Sequence, residues 1–404
     1  MQINPERLIG DLRELAGFGQ YKTGVNRPAF SAADMAAREW LRGKMAAAGL
    51  TAVIDGVGNV YGRMDGATKA VLIGSHSDTV PFGGWLDGSL GVIYALEIAR
   101  CVGESGAAPI GVDAISFQDE EGTYLSFLGS RTFCGDDLAA DIAAARNKDD
   151  EALAPLIANA GLTQKEPARL DPGRHVAYLE AHIEQGPRLE HAGRQIGVVS
   201  AIVGIKTFRV IFRGEANHAG TTPMDMRHDA GAAALAFGAA LAEIVPRHGG
   251  ADTVWNVGKA TFEPGAANVV PAIAELFVQI RDASPAVLAE LARVIGEAAR
   301  AHAARCRVEV EIMVLADTPP AAMNATLAGL IARAAGERGA STMSLPSGAG
   351  HDAMILAPRL PAAMMFVPSI GGRSHHVSED TREDDIVVGA QVFLRAVELL
   401  MSGL

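Results

Sequence analysis

Ala70-Val71-Leu72-Ile73-Gly74-Ser75-His76-Ser77-Asp78-Thr79-Val80 is an apolar run that ends abruptly in polar, chemistry-bearing residues. The run Ala70–Gly74 reads as a buried strand, Gly91–Cys101 as a helix and Gly111–Phe117 as a second buried strand. That alternation is α/β layering. Each strand is followed by polar residues, at Ser75–Asp78 and at Gln118–Gly122. In α/β sheets ligands bind beyond the carboxyl ends of the strands, so candidate site residues are sought there.

Further along, the order changes to strand Lys206–Phe212, helix Asp229–Val245, strand Thr253–Ala260, strand Ala274–Ile280, helix Pro285–His302 and strand Arg307–Val314. This is a β-α-β-β-α-β unit of ferredoxin-like, α+β type. After it the chain returns to helix Thr326–Arg338, strand Ala362–Val367 and a last helix, Asp384–Met401. The expected architecture is an α/β domain of residues 1–204 and 318–404, its mixed sheet flanked by helices, with a domain of 205–317 inserted through joints near Val203–Ile205 and Asp317–Pro320. A chain of 404 residues is long enough for at least two cores.

The composition, 49% hydrophobic and 20% charged with 45 glycines, is that of a folded enzyme with many tight turns. A net charge of −12 repels polyanions, which argues against nucleic acid as a partner. Cys101, Cys134 and Cys306 are widely spaced and read as thiols of a reducing compartment. The amino terminus leads into an amphipathic pattern rather than a signal peptide. The apolar stretch Gly231–Ala242 is shorter than the roughly 20 residues that cross a bilayer, and reads as a buried or subunit-interface helix. A cytoplasmic protein with no membrane partner is expected.

Five segments after apolar runs carry imidazole or carboxylate. His76 and Asp78 form a His-x-Asp pair in which one residue can ligate a metal while the other orients it. Asp87, in Trp85-Leu86-Asp87-Gly88-Ser89, is either a helix N-cap or part of a site. Asp119, Glu120 and Glu121 are consecutive acids at a strand end, where like charges repel unless cations or protons stabilise them. His182 and Gln185 follow Val176–Ala181, and Ser374-His375-His376 follows the last strand. Each alone could be a turn or surface residue, but five together point to metal chemistry. There is no Gly-x-Ser-x-Gly elbow, no His-Glu-x-x-His and no Walker lysine loop.

The string Gly74–Val80, Asp87-Gly88, Glu120-Glu121, His182 with Gln185, and Ser374-His375 resemble the di-zinc aminoacylase/carboxypeptidase-type peptidase family. His182-Ile183-Glu184-Gln185-Gly186-Pro187, the run Gly214–Met224, and Gly350-His351-Asp352-Ala353 resemble its amidase/hydantoinase/carbamoylase branch. That branch holds N-carbamoyl-L-amino-acid hydrolases, β-ureidopropionases and allantoate amidohydrolases. The likeness covers essentially the whole chain. It implies two divalent ions per subunit, zinc by first choice, or manganese, cobalt or nickel. One would be held by His76 and His182, the other by Glu121 and His375, with Asp87 bridging them. Glu120 becomes the general base of a hydrolysis by metal-bridging hydroxide, and Asp78 the partner of His76.

Ser374 is followed by two histidines. The family places its ligand directly after the serine with an acid four residues on, and His375 to Glu379 fits, leaving His376 as a neighbour. His218, Asn268 and Arg281 could be turn or surface residues by themselves; the resemblance assigns them to a substrate carboxylate and scissile group, with Gln185, Gly350 and His351 completing the wall. It also makes 205–317 a lid and dimerisation domain and the protein a homodimer. The substrate implied is a small carboxylate-bearing amide or ureido compound of the N-carbamoyl-amino-acid type. The alternatives are a dipeptidase or N-acyl-amino-acid deacylase on the same scaffold, and, in another class, a catalytically silent metal-binding or interaction protein.

Overall fold

The computed structural model describes residues 1–106 and 110–403. It separates into two compact units, Met1–Ser200 with Ala322–Leu404, and Ala201–Ala321.

The first unit is built on a nine-stranded mixed sheet. Its strands run in the order Ala321–Ala322, Ile196–Ile202, Ala362–Val367, His175–Ile183, Lys69–His76, Ile110–Phe117, Val60–Met64 and Leu50–Ile54, with Thr342–Ser347 also paired to Ile196–Ile202. The four central strands, Ala362–Val367 through Ile110–Phe117, are parallel to one another. Every residue of Ile110–Phe117 is buried, as is every residue of Lys69–His76 after the first. Strands covered on both faces need such continuous apolar runs, which is why Val71, Leu72, Ile73, Val112, Ala114 and Ile115 are legible in the sequence. Antiparallel Val60–Met64 and Leu50–Ile54 at one edge make the sheet mixed.

Helix Ser89–Glu104 is buried along nearly its whole length, between the sheet and helix Pro5–Gly17. It sits so close to the sheet that a side chain at Gly91 would strike the carbonyl of Ala181. A fully buried Leu or Ile on such a helix contributes roughly 1.5–3 kcal/mol by leaving water. The parallel arrangement delivers His76, the loop after Phe117, His182 and the loop after Val367 to a single edge of the sheet.

The inserted unit is a four-stranded antiparallel sheet in the order Val254–Glu263, Ile273–Asp282, Gly204–Arg213, Glu309–Thr318. This is the split β-α-β-β-α-β arrangement, with crossing helices Ala230–His248 and Pro285–Cys306. Ala274, Leu276, Val278 and Ile280 alternate along their strand into a core with Phe237, Leu241, Leu291 and Ile295. Gln279 and Arg281 therefore lie on the face opposite the helices. Helix Ala230–His248 begins at Asp229, whose side chain accepts the N–H of Ala232 at 2.9 Å. It continues through Pro246 to 19 residues, longer than the apolar stretch marks in the sequence. This helix and Glu383–Gly403 are long and apolar enough to cross a membrane by length and composition; 39% and 56% of their most apolar windows are buried within the protein.

Candidate metal centre

Asp87 is the centre of the site. Helix Ser89–Glu104 has Gly88 as its N-cap, with no side-chain capping bond, so the Asp87 carboxylate does not cap the helix and is available to the site. Gly88 adopts φ +63°, and a Cβ there would lie 2.5 Å from the His76 ring. Only glycine permits both the left-handed turn and the close approach.

The two oxygens of Asp87 face different partners. Oδ1 lies 3.1 Å from His182 Nε2 and 3.8 Å from His76 Nε2, whereas Oδ2 lies 3.3 Å from His375 Nε2. His375 Nε2 is in turn 3.6 Å from Glu121 Oε2. Two groups of donor atoms result, His76–Asp87–His182 and Asp87–Glu121–His375, each with its atoms within 4.8 Å of one another. Either group could hold a cation, and Asp87 belongs to both. Glu121 Oε1 is buried without a hydrogen-bond partner, an arrangement that costs about 1–3 kcal/mol unless something else satisfies it.

The imidazoles are oriented for this. His76 Nδ1 contacts the backbone carbonyl of Asp78 at 3.0 Å and His182 Nδ1 that of Ile183 at 2.8 Å, which directs both Nε2 atoms at Asp87. Burial lowers His76 to about 4, so its ring is neutral at pH 7. Burial is the largest single influence on His182 and lowers it, but the hydrogen bond and charge of Asp87, with Glu180 and the Ile183 carbonyl, together outweigh it and draw the ring up to about 9. Yet the Gly88 N–H points into the same Nε2 at 3.1 Å, which requires a neutral ring. Asp87 and Gly88 compete for that nitrogen at the position a cation would take.

Asp78 supports His76 differently from the simplest reading of His-x-Asp. Its carbonyl makes the contact, while carboxylate Oδ1 is 3.9 Å from Nδ1. The carboxylate instead accepts the Glu121 N–H at 3.3 Å and lies 3.5 Å from buried Arg38. Burial raises Asp78 to about 6 against the pull of Arg38.

Around this core the acids crowd. Burial, then Glu121, Asp352, Asp78 and Asp87, push the Glu120 carboxyl well above its usual range; burial and Asp87 do the same to Glu121. Burial alone would also raise Asp87, but hydrogen bonds to His182 and His375 hold it well below. Glu120 Oε2 is 3.7 Å from His76 Nε2. Asp119 has a left-handed φ of +54°, and its carboxylate accepts N–H groups of Thr123, Tyr124 and Leu125 at 2.6–3.0 Å. Gln185 and His375 are left-handed too, at φ +57° and +55°. Strained non-glycine backbone gathered in one place is a mark of a functional site.

Gln185 donates from Nε2 to Asp87 Oδ2 and to the Ser374 hydroxyl, both at 3.1 Å. His376 points elsewhere: its Nδ1 is 2.8 Å from the Ser378 hydroxyl and it joins neither donor group. Gly350 abuts the Phe127 ring. His351 is 1% exposed, stacks edge-on against His182 at 4.5 Å and bonds Ser347 at 2.8 Å, so it braces His182 from within the protein instead of lining an open wall.

In the inserted unit, the short strands Asn217–His218 and Val269–Val270 pair, and Ala219 N–H donates to the Asn268 carbonyl at 2.9 Å, which brings His218 and Asn268 together. His218 is exposed, and its Nδ1 accepts N–H groups of Gly220 at 3.0 Å and Thr221 at 3.2 Å. Its proton therefore resides on Nε2, making the ring a hydrogen-bond donor.

Two residues around the centre carry no signal of their own in the sequence, and a third carries only its spacing. Arg38, wholly buried, bonds Asp34 at 2.9 Å and the carbonyl of Phe117 at 3.2 Å, tying helix Ala32–Ala47 to the base of the acidic loop. Asp34 also accepts from Gln118 at 2.9 Å. Glu379, marked in the sequence only by its spacing from His375, accepts the N–H groups of Leu86 and Asp87 at 3.1 and 3.0 Å and the Ser374 hydroxyl at 2.9 Å.

A mixed sheet that gathers imidazoles and carboxylates at the ends of four parallel strands is the framework of a hydrolase with a metal-binding centre. The chain belongs to the peptidase family M20/M25/M40, whose model matches residues 72–399, and within it to the amidohydrolase branch. It is 35% identical over 413 residues to the N-carbamoyl-L-amino acid amidohydrolase of Geobacillus stearothermophilus, covering 99% of this chain and 100% of that protein. To the allantoate amidohydrolase of Escherichia coli strain K12 it is 34% identical, covering 93% of each. An amidase of the hydantoinase/carbamoylase family from Burkholderia phymatum superposes with a TM-score of 0.91 at 45% identity, over 100% of this chain and 98% of that one.

Proposed function

We propose that this protein hydrolyses the ureido C–N bonds of an N-carbamoyl amino acid or a closely related ureido acid, releasing ammonia. The observation that carries the proposal is Asp87, whose two oxygens face two separate donor groups with Glu120 alongside. His76, Asp87 and His182 form one cation site and Asp87, Glu121 and His375 the other. Bound there, two divalent ions, zinc by first assignment with manganese, cobalt and nickel as alternatives, supply Lewis acidity to the substrate carbonyl and acidify water.

The protein's own groups do the rest. Glu120, raised by burial and then by its acidic neighbours, takes a proton from the attacking water and delivers it to the leaving nitrogen. His218 donates from Nε2 to the oxygen on which charge develops, beside Asn268. Arg281 grips the substrate carboxylate as a planar fork, and Gln185 holds Asp87 and Ser374 in place. Gly350 stands at the edge of the pocket. The inserted unit serves as lid and dimerisation element of a cytoplasmic homodimer. Exposed Leu235 on its helix and Val314 and Leu315 on its edge strand support that assignment.

The test is an assay of the metal-reconstituted protein on N-carbamoyl amino acids, 3-ureidopropionate, allantoate and N-acyl amino acids, reading both ammonia and free amine. Ammonia from the ureido acids is expected. Free amine from acyl substrates without ammonia from ureido acids makes the protein a deacylase or dipeptidase, and no turnover on any substrate makes it a metal-binding protein without this activity.

A further inference from the structure

Arg27 is wholly buried, and its guanidinium is bonded to neutral groups. It donates from Nε to the Ser77 carbonyl at 2.7 Å, from Nη1 to the carbonyls of Leu15 and Phe18 at 2.7 and 2.9 Å, and from Nη2 to the Ser89 hydroxyl at 3.0 Å. Its backbone joins the same strand end: the Arg27 N–H donates to Thr79 Oγ1 and the Thr79 N–H to the Arg27 carbonyl, both at 2.9 Å. Burying a charge against neutral partners costs free energy that an apolar side chain in the same place would avoid. What the guanidinium supplies in return is a rigid, planar set of donors aimed in several directions at once.

Those directions meet the metal centre from behind. Ser77 directly follows His76, and its hydroxyl is held from the other side by the Ser116 hydroxyl at 2.9 Å. Ser89 opens helix Ser89–Glu104 two residues after Asp87, and its N–H donates to the Asp87 carbonyl at 2.6 Å. One side chain therefore spans the segments that carry His76 and Asp87, whose Nε2 and Oδ1 lie 3.8 Å apart. The remaining donor reaches the end of helix Pro5–Gly17, whose last turn has no basic residue of its own. The Leu15 and Phe18 carbonyls at that end find their cation in Arg27, as the carboxyl end of a helix favours. These bonds reach the segments of His76 and Asp87 and not those of Glu121 and His375.

We infer that Arg27 is a positioning residue for the first cation site, His76–Asp87–His182, and that through it the docking of the amino-terminal helix sets how tightly this site holds its metal. The Asp87–Glu121–His375 site does not depend on it. The inference rests on the two-cation reading above. Arg27 acts through Ser77 and Ser89 and bonds no ligand atom itself.

The experiment measures zinc affinity by competition with a chromophoric chelator in two backgrounds, His375→Ala, which keeps the first site, and His182→Ala, which keeps the second. In His375→Ala, adding Arg27→Met should weaken zinc binding by about 10–100-fold, the usual loss for a group that orients ligands. Arg27→Lys keeps the charge without the fork and should recover part of that loss. In His182→Ala the same substitutions should leave zinc affinity within about twofold, as for independent sites. Ser89→Ala removes one acceptor with little risk to folding and should weaken the first site in the same direction by less. The cobalt-loaded His375→Ala protein gives a spectroscopic reading, its visible bands shifting when Arg27→Met is added. A loss as large in the His182→Ala background, or no loss in either, overturns this inference and leaves the proposed function standing. A parent protein that binds no zinc overturns the two-cation reading and this inference with it.

Discussion

Glu379 accepts the backbone N–H of Asp87 at 3.0 Å although 292 residues separate them. A side chain at Gly84 would fall within the Glu379 carboxylate, so the Asp87 loop wraps this acid closely. Burial and the Asp87 charge raise Glu379 to about 7. Its oxygens also receive Leu86 N–H and the Ser374 hydroxyl, so a single carboxyl fixes both loops that meet at the centre. Glu379→Ala is expected to weaken divalent metal affinity by about 10–100-fold, the usual effect of losing a group that orients ligands. Equilibrium dialysis of the variant against zinc measures it, and parent-like affinity would remove Glu379 from this role.

Exhaustive chelation should abolish turnover, and zinc, manganese, cobalt or nickel should restore it. The basis is the pair of donor groups that share Asp87 and the unpartnered Glu121 Oε1. Full activity in protein shown by elemental analysis to be metal-free would end the proposed mechanism.

Glu120 and Glu121 are adjacent yet face different partners, His76 and His375. Glu120→Gln should retain both ions and lose about 10²–10⁴-fold in kcat, as expected for a general base. Glu121→Gln should lose metal first. If metal content falls in the Glu120 variant while its rate holds, the two roles are exchanged.

His375→Ala should lose one equivalent of metal, because its Nε2 is the imidazole of the second donor group. His376→Ala should retain both, since that ring is bonded to Ser378. Metal analysis of the two variants decides, and the opposite pattern would shift the ligand by one residue.

A protein of net charge −12 that binds an anion must do so through a local cation. Arg281→Lys keeps the charge and loses the fork, so kcat/KM on the ureido acid should fall at least about tenfold, in line with about 1.5–3 kcal/mol for a hydrogen bond to a charged group. Metal content should be unchanged. The parent should prefer the acid to its carboxamide strongly and the variant weakly; equal parent activity on both would show that no carboxylate is read at this position.

The central strands were legible because each is buried on both faces and is mostly apolar, with Asp113 and Glu180 as buried exceptions; Lys69–His76 and Ile110–Phe117 differ from the runs Ala70–Gly74 and Gly111–Phe117 by a few end residues. The inserted unit was legible from its alternating strands and long amphipathic helices, although Ala230–His248 runs past a proline that reads as a stop. The edge hairpin Leu50–Ile54 and Val60–Met64 was not, because Thr51, Gly62 and Arg63 break its pattern. At the site, His76, Asp87, Glu120, Glu121, His182 and His375 stood out as reactive types after strands. Arg38 and Asp34 did not, and Glu379 showed only as the acid four residues after His375, since their importance lies in partners up to 292 residues away and periodicity carries no trace of such pairs. The burial of His351 was equally hidden, because a Gly-His-Asp turn reads the same whether it faces water or the underside of His182.

The parallel strands bring the donors together from positions 76 to 375, and the clamp on Asp87 comes from position 379. A ribosome has therefore made nearly the whole chain before the last donor and its clamp exist. The nascent protein holds His76, Asp87 and His182 long before His375 can join them, so the second donor group is completed only after synthesis has passed the last central strand. Contacts between such distant segments also form slowly, because a long loop must close before they are rewarded. Completion of the second donor group is thereby tied to the last part of the chain, and a chain cut after residue 374 lacks both His375 and the Glu379 clamp however well its amino-terminal strands pair.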